Sequence, residues 1–85
     1  MSYKIVFANN VKKDVKKIPV SLLKNIKANI DELANFPSIS NFKRLYSCSL
    51  ADYRLRVGDY RILFDVDYKN NEIVILKIGH RKEVY

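Results

Sequence analysis

Residues 53–64 read Y-R-L-R-V-G-D-Y-R-I-L-F, two alternating segments meeting at Gly58-Asp59. Alternation of period two is the signature of a strand with one buried face. A glycine opening a two-residue link between two such runs marks a tight hairpin. With a two-residue turn, Val57 faces Tyr60, Arg56 faces Arg61 and Leu55 faces Ile62. Directly opposed residues share a face. Tyr53, Leu55, Val57, Ile62 and Phe64 therefore fall on one side, and Arg54, Arg56 and Arg61 on the other. The arginine side is expected to face solvent, because three guanidinium groups are not buried unpaired. It reads either as an ordinary wet sheet face or as a concavity for phosphate, since two arginines set directly opposite each other repel unless something is gained.

Downstream, residues 73–78 give a last strand after a turn near Asn70. A loop of odd length would place Val74, Leu76 and Ile78 in the core and bring Lys77 to the arginine face; a loop of two or four residues would bury Lys77 instead. The odd loop is the expectation, and Arg81 continues the parity of Lys77. Upstream, residues 3–7 (Y-K-I-V-F) are a short β-prone run. Asn9 or Asn10 is positioned to cap a helix carrying Val11, Val15 and Ile18 on one stripe and Lys12, Lys13, Lys16 and Lys17 elsewhere. Pro19 breaks that helix and suits the first turn of the next. Leu22, Leu23, Ile26, Ile30, Leu33 and Ala34 then form a stronger amphipathic helix, ended by Phe36-Pro37. So short a break favours an antiparallel pair. Residues 38–50 read as polar and irregular, with Leu45 and Tyr46 as anchors. The order strand, helix, helix, three strands predicts an α+β domain, a helical hairpin on one face of a mainly antiparallel sheet.

The chain is 85 residues long, which fits one domain, residues 1–85, with a thin core. The single cysteine, Cys48, excludes an internal disulfide and suits a reducing, cytoplasmic setting. One histidine and one cysteine leave no ligand set for a structural zinc, and neither metal nor cofactor is expected. No apolar run approaches the roughly 20 residues of a membrane span, and the first residues carry no signal-peptide pattern. The formal net charge is +7. A small basic domain tends to meet a polyanion. Residues 1–42 hold seven Lys/Arg against three acids and residues 43–85 nine against six, so there is no basic tail and any anion site must be built on the fold.

Residues 53–64 and the ending I-G-H-R-K-E-V-Y, residues 78–85, together resemble the RelE branch of the RelE/ParE toxins. The strand and helical hairpin match that family's layout, so the resemblance spans the chain. It implies a toxin of a type II toxin–antitoxin pair that enters the ribosomal A site and cuts mRNA. By position it places the family's functional basic residues on Arg54, Arg56, Arg61 and Arg81, and its C-terminal tyrosine on Tyr85. The best-studied members have lysines where this chain has Arg54 and Arg56. The implied partners are a cognate acidic antitoxin, the ribosome and mRNA. The toxin is expected to be a monomer alone and part of a larger assembly with the antitoxin.

The implied chemistry is metal-free: the ribose 2′-OH attacks the adjacent phosphate and a 5′-OH leaves. It requires a base, an acid and positive charge around a dianionic phosphorane. Arginine binds phosphate bidentately but stays protonated, so Arg54 and Arg56 cannot inherit a lysine's proton-transfer role. Histidine is the side chain that ordinarily titrates near neutral pH. His80 therefore reads either as the acid or base, or as a strand-end ring packed on the core. Tyr85 reads as a group that stacks on a base or orients the 2′-OH, or as a frayed terminus. Lys12, Lys13, Lys16, Lys17 and Lys77 are the expected contacts to RNA and ribosome. Two other activities fit the pattern: a ParE-like inhibitor of DNA gyrase, and a non-catalytic basic RNA-binding domain.

Overall fold

A computed structural model describes residues 2–84. Five strands form one sheet in the order β1-β5-β4-β3-β2. They are β1 (Lys4–Phe7), β2 (Phe42–Arg44), β3 (Tyr53–Val57), β4 (Tyr60–Asp67) and β5 (Glu72–His80). Helices α1 (Val11–Lys16) and α2 (Val20–Glu32) follow β1, and a four-residue helix α3 (Arg81–Val84) follows β5. Only β1, parallel to β5, departs from antiparallel pairing. This is the expected α+β architecture.

The core lies between the sheet and the hairpin of α1 and α2. Val11 from α1, Ile18 just after it, Ile26 and Ile30 from α2 and Leu33 just past its end pack with Leu55, Val57, Ile62, Phe64, Ile73, Ile75 and Ile78. Each apolar stripe of the helices thus finds the apolar side of the sheet, which is where burial stabilises most. Leu22 of the stripe stays partly exposed.

The hairpin register is the one the sequence specifies: Val57 opposite Tyr60, Arg56 opposite Arg61, Leu55 opposite Ile62. Gly58 adopts φ +58°, a conformation side chains rarely tolerate, while a Cβ there would meet no atom within 4 Å. The glycine is needed for its backbone angle and not for space.

Four expectations are corrected. The loop before β5 is four residues long, 68–71, because Asp67 pairs with Glu72. Ile73 and Ile75, not Val74 and Leu76, therefore enter the core. Lys77 is nonetheless kept out of it by a bulge: Phe64 pairs with Ile75 but Leu63 with Lys77, so Leu76 is an extra residue that reverses the parity. Second, residues 38–50 are not wholly irregular. They contain β2, where Phe42 pairs with Leu55 and its ring packs 5.1 Å from that of Phe36. Third, Tyr46 is no anchor; it is 89% exposed. Fourth, Asn10 makes no side-chain cap for α1. Its amide donates instead to the Leu76 carbonyl at 3.1 Å. The reason is at the sheet edge. β1 pairs with β5 only as far as Ile75, so beyond it β5 needs other partners. Asn10 takes the carbonyl, and the Asp14 carboxylate accepts from the Ile78 N–H at 3.0 Å.

Candidate nucleic-acid interface

On the face of the sheet away from the helices, cross-strand pairing lines up two rows. One runs Lys43, Arg54, Leu63, Lys77 across β2 to β5; the other holds Arg56, Arg61 and Gly79. Lys43 was not among the expected site residues. It belongs to the row only because β2 exists, and a three-residue strand carries no alternation by which to find it.

The three hairpin arginines share this face but not its exposure. Arg56 is exposed and Arg54 half-buried. Arg61 is only 9% exposed, against the expectation of a wholly solvated row. Its Nη1 donates to the carbonyls of Gly58 at 2.9 Å and Tyr60 at 3.1 Å. Carbonyls of the turn thus meet the guanidinium, which is how burial is tolerated and how two opposed arginines are kept apart in environment.

Arg81, the first residue of α3, is tied to the same turn. Its N–H donates to the Asp59 carbonyl at 2.7 Å, and its Nε lies 3.7 Å from the Asp59 carboxylate. Both partners of that ion pair are largely exposed, so it orients Arg81 more than it stabilises the fold. Arg61 and Arg81 therefore converge on Gly58-Asp59 from β4 and from α3.

Lys77 lies opposite Leu63, and its ammonium leans over the sheet edge to 3.8 Å from Asp14. His80 is on the other side. It pairs with Tyr60, which pairs with Val57, so it shares the helix-facing side of the sheet. Its ring meets that of Tyr60 edge-on, with centroids 5.6 Å apart. There it borders a recess of about 320 Å³, lined also by Leu22, Asn25, Ile26 and Val57. The structure thus brings Arg54, Arg56, Arg61 and Lys77 to one face and does not bring His80 to it. Tyr85 lies outside the described residues. Lys12, Lys13, Lys16 and Lys17 are all exposed, on or just after α1.

At the end of the sheet remote from Gly58, the Arg44 guanidinium lies 5.4 Å from the ring centre of Tyr53 and 5.8 Å from that of Tyr46. The Arg44 guanidinium also donates to the Tyr53 hydroxyl at 3.4 Å, which raises its pKa above the ordinary arginine value.

A face of arginines and lysines ending at a rigid turn suits a phosphodiester. Residues 5–85 match the family model described as the ParE toxin of the type II toxin–antitoxin system parDE. Toxin RelE3 of Methanocaldococcus jannaschii is 34% identical, over 96% of this chain and 94% of that one. Toxin RelG of Mycobacterium tuberculosis is 27% identical, over 100% of this chain and 98% of its own length. Among solved structures, the RelBE2 toxin–antitoxin complex of Mycobacterium tuberculosis superposes with a TM-score of 0.83 at 26% identity, covering 95% of this chain and 100% of that one. The RelB–RelE antitoxin–toxin complex from Methanococcus jannaschii gives 0.76 at 31% identity, covering 94% of each chain. The chain belongs to the RelE/ParE family of toxins of type II toxin–antitoxin systems.

Proposed function

We propose that this toxin is a ribosome-dependent mRNA endoribonuclease of the RelE type. The observation that carries this reading is the basic face, with Arg56 directly opposite Arg61, Arg54 in the neighbouring row and Arg81 held at the same turn as Arg61. In the proposed reaction the mRNA 2′-OH attacks its own 3′-phosphate and gives up its proton to water; the bond from phosphorus to the 5′-oxygen breaks, that oxygen takes a proton from water and leaves as a 5′-OH, and a 2′,3′-cyclic phosphate remains. Charge builds on the non-bridging oxygens of the phosphorane. Preorganised guanidinium groups stabilise that charge at no reorganisation cost at the moment of reaction. Arg61 and Arg81 are the two whose geometry is fixed, and they are assigned the phosphate. Arg54 and Arg56 bind the flanking backbone, with Lys43 and Lys77 extending the track. By the family resemblance alone, Tyr85 is assigned to stack on a nucleobase or to orient the 2′-OH. Lys12, Lys13, Lys16 and Lys17 form a separate exposed cluster suited to ribosomal RNA phosphates, whose contacts dominate affinity.

The partner proposed for the free toxin is an acidic antitoxin segment that folds over the basic surface. The solved relatives above that are toxin–antitoxin complexes support it.

A gyrase-directed activity is the second reading, favoured by the ParE description of the matched family model. One experiment separates the two. The purified toxin is added to ribosomes programmed with a defined mRNA, and in parallel to a gyrase supercoiling assay. Cuts at codon positions that vanish without ribosomes are the expected outcome. Gyrase inhibition without cleavage would replace this reading, and neither activity would leave a non-catalytic RNA-binding domain.

A further inference from the structure

The only histidine of the chain sits at the junction of β5 and α3. A four-residue helix does not persist by itself, because nucleation costs more than one turn of hydrogen bonds returns. Its first amides also need partners from outside the helix. Two are supplied. The Arg81 N–H donates to the Asp59 carbonyl at 2.7 Å, and the Lys82 N–H donates to His80 Nδ1 at 3.2 Å. An acceptor on the residue preceding a helix, taking the N–H two positions on, is the geometry of an N-cap. The edge-on contact with Tyr60 fixes the plane of the ring.

We propose that His80 is the N-cap of α3 and a positioning residue for Arg81, and that it carries no proton in the reaction. To accept from Lys82 the ring must keep the lone pair on Nδ1, with its proton on Nε2. The ring also lies on the opposite side of the sheet from Arg56 and Arg61. The strand register thus directs Arg61, one of the two arginines assigned the phosphate, away from the imidazole. What His80 does reach is the backbone that starts α3, and so the direction in which Arg81 leaves the Gly58-Asp59 turn.

The role of Arg81 rests on the cleavage reading above, so the test has one arm that does not. Three variants are made: His80→Asn, His80→Gln and His80→Ala. Asparagine places a carbonyl oxygen where Nδ1 stands and is among the best capping residues; glutamine's oxygen reaches to the Nε2 position instead. In the free protein, solvent exchange of the Lys82 amide is read by NMR. Exchange should rise on the order of fivefold to tenfold in the Ala and Gln variants, as expected for a lost cap, and stay near wild type in the Asn variant. In the cleavage assay, His80→Asn should keep the single-turnover rate, while Ala and Gln slow it with ribosome affinity unchanged. Lys82 exchange identical in wild type and His80→Ala overturns the cap. A His80→Asn enzyme as slow as His80→Ala, with its Lys82 amide still protected, overturns the positioning role and returns His80 to proton transfer. If the wild-type toxin cuts nothing, the cleavage reading fails and the exchange data alone decide the cap.

Discussion

Arg61 has two duties in this structure, and substitution separates them. Its Nη1 holds the carbonyls of Gly58 and Tyr60 at 2.9 and 3.1 Å from a nearly buried position. Hydrogen bonds involving a charged group contribute about 1.5–3 kcal/mol in buried settings. Gly58 is exposed and Tyr60 half-buried, so water can replace part of what the guanidinium supplies. The low end therefore applies, and Arg61→Ala should cost about 2 kcal/mol. For a chain of this size that lowers the melting temperature by roughly 8–16 °C. Arg61→Lys keeps a cationic donor on a shorter side chain, reaching the two carbonyls less well than Nη1 does, and about half that loss is expected. The catalytic effect should run differently. Removing one preorganised donor to a developing oxyanion typically costs about 10²–10³ in rate. Arg61→Lys should therefore lose nearly as much single-turnover rate as Arg61→Ala, while retaining most of the stability. Both variants are assayed by circular dichroism melting and by single-turnover cleavage on programmed ribosomes, well below either melting point. An Arg61→Lys toxin with wild-type rate would refute the phosphate assignment. An Arg61→Ala toxin with an unchanged melting temperature would refute the turn clamp.

Three further outcomes are expected. Asp14→Ala strips the Ile78 N–H of its acceptor in a buried position and should cost about 2–3 kcal/mol in urea unfolding; Asp14→Asn should cost less because an acceptor remains, and Lys77→Ala, breaking only the partly exposed ion pair, under about 1 kcal/mol. Lys43→Ala should reduce the salt dependence of ribosome binding by somewhat under one unit of log–log slope while leaving the melting temperature in place, since Lys43 is exposed and stands opposite Arg54. The Asn70 side-chain amide, and then its backbone N–H, hold the Asp67 carboxyl below its ordinary value. The folded state then binds that proton less tightly than the unfolded one, so the stabilisation is present above about pH 4 and lost as pH falls through the lower folded value. Asn70→Ala should lower the melting temperature at neutral pH and converge on wild type in strong acid; a difference that persists unchanged at pH 2 would contradict this.

The hairpin was legible to the residue because two local signals agree there, strict alternation and a glycine-led turn. What escaped the sequence is what long-range contacts decide. β2 is three residues long and is held by pairing with β3 and by Phe42 against Phe36. In the run I-V-I-L-K-I every residue but Lys77 is apolar, so composition does not say which of them is extra; only the contest between β1, β4 and α1 for β5 selects Leu76. Alternation gives a face and not a depth, which is why it locates Arg61 on the basic side without revealing its burial. The side occupied by His80 was readable in principle. The parity that brings Lys77 to the arginines carries His80 to the helices.

The bulge is what makes core and basic face compatible in one strand. With its four-residue loop, β5 begins with Ile73 and Ile75 inward, alongside β1. Had the strand stayed regular, the next inward residues would be Lys77 and Gly79, with Ile78 and His80 turned toward the arginines. An ammonium in the core and an isoleucine in water are each unfavourable, and together they exceed the cost of one unpaired residue. The extra residue resolves both. It also leaves the Leu76 carbonyl and the Ile78 amide for Asn10 and Asp14 at the start of the helical hairpin. The same edge where β1 stops is thus where α1 is fastened and where Lys77 meets Asp14. Three residues further on, the restored parity sends His80 beneath α3 and hands Arg81 to the Gly58-Asp59 turn. The attachment of Arg81 to the turn that also holds Arg61 therefore depends on a packing decision made at Leu76, on a different strand from Arg54 and Arg56.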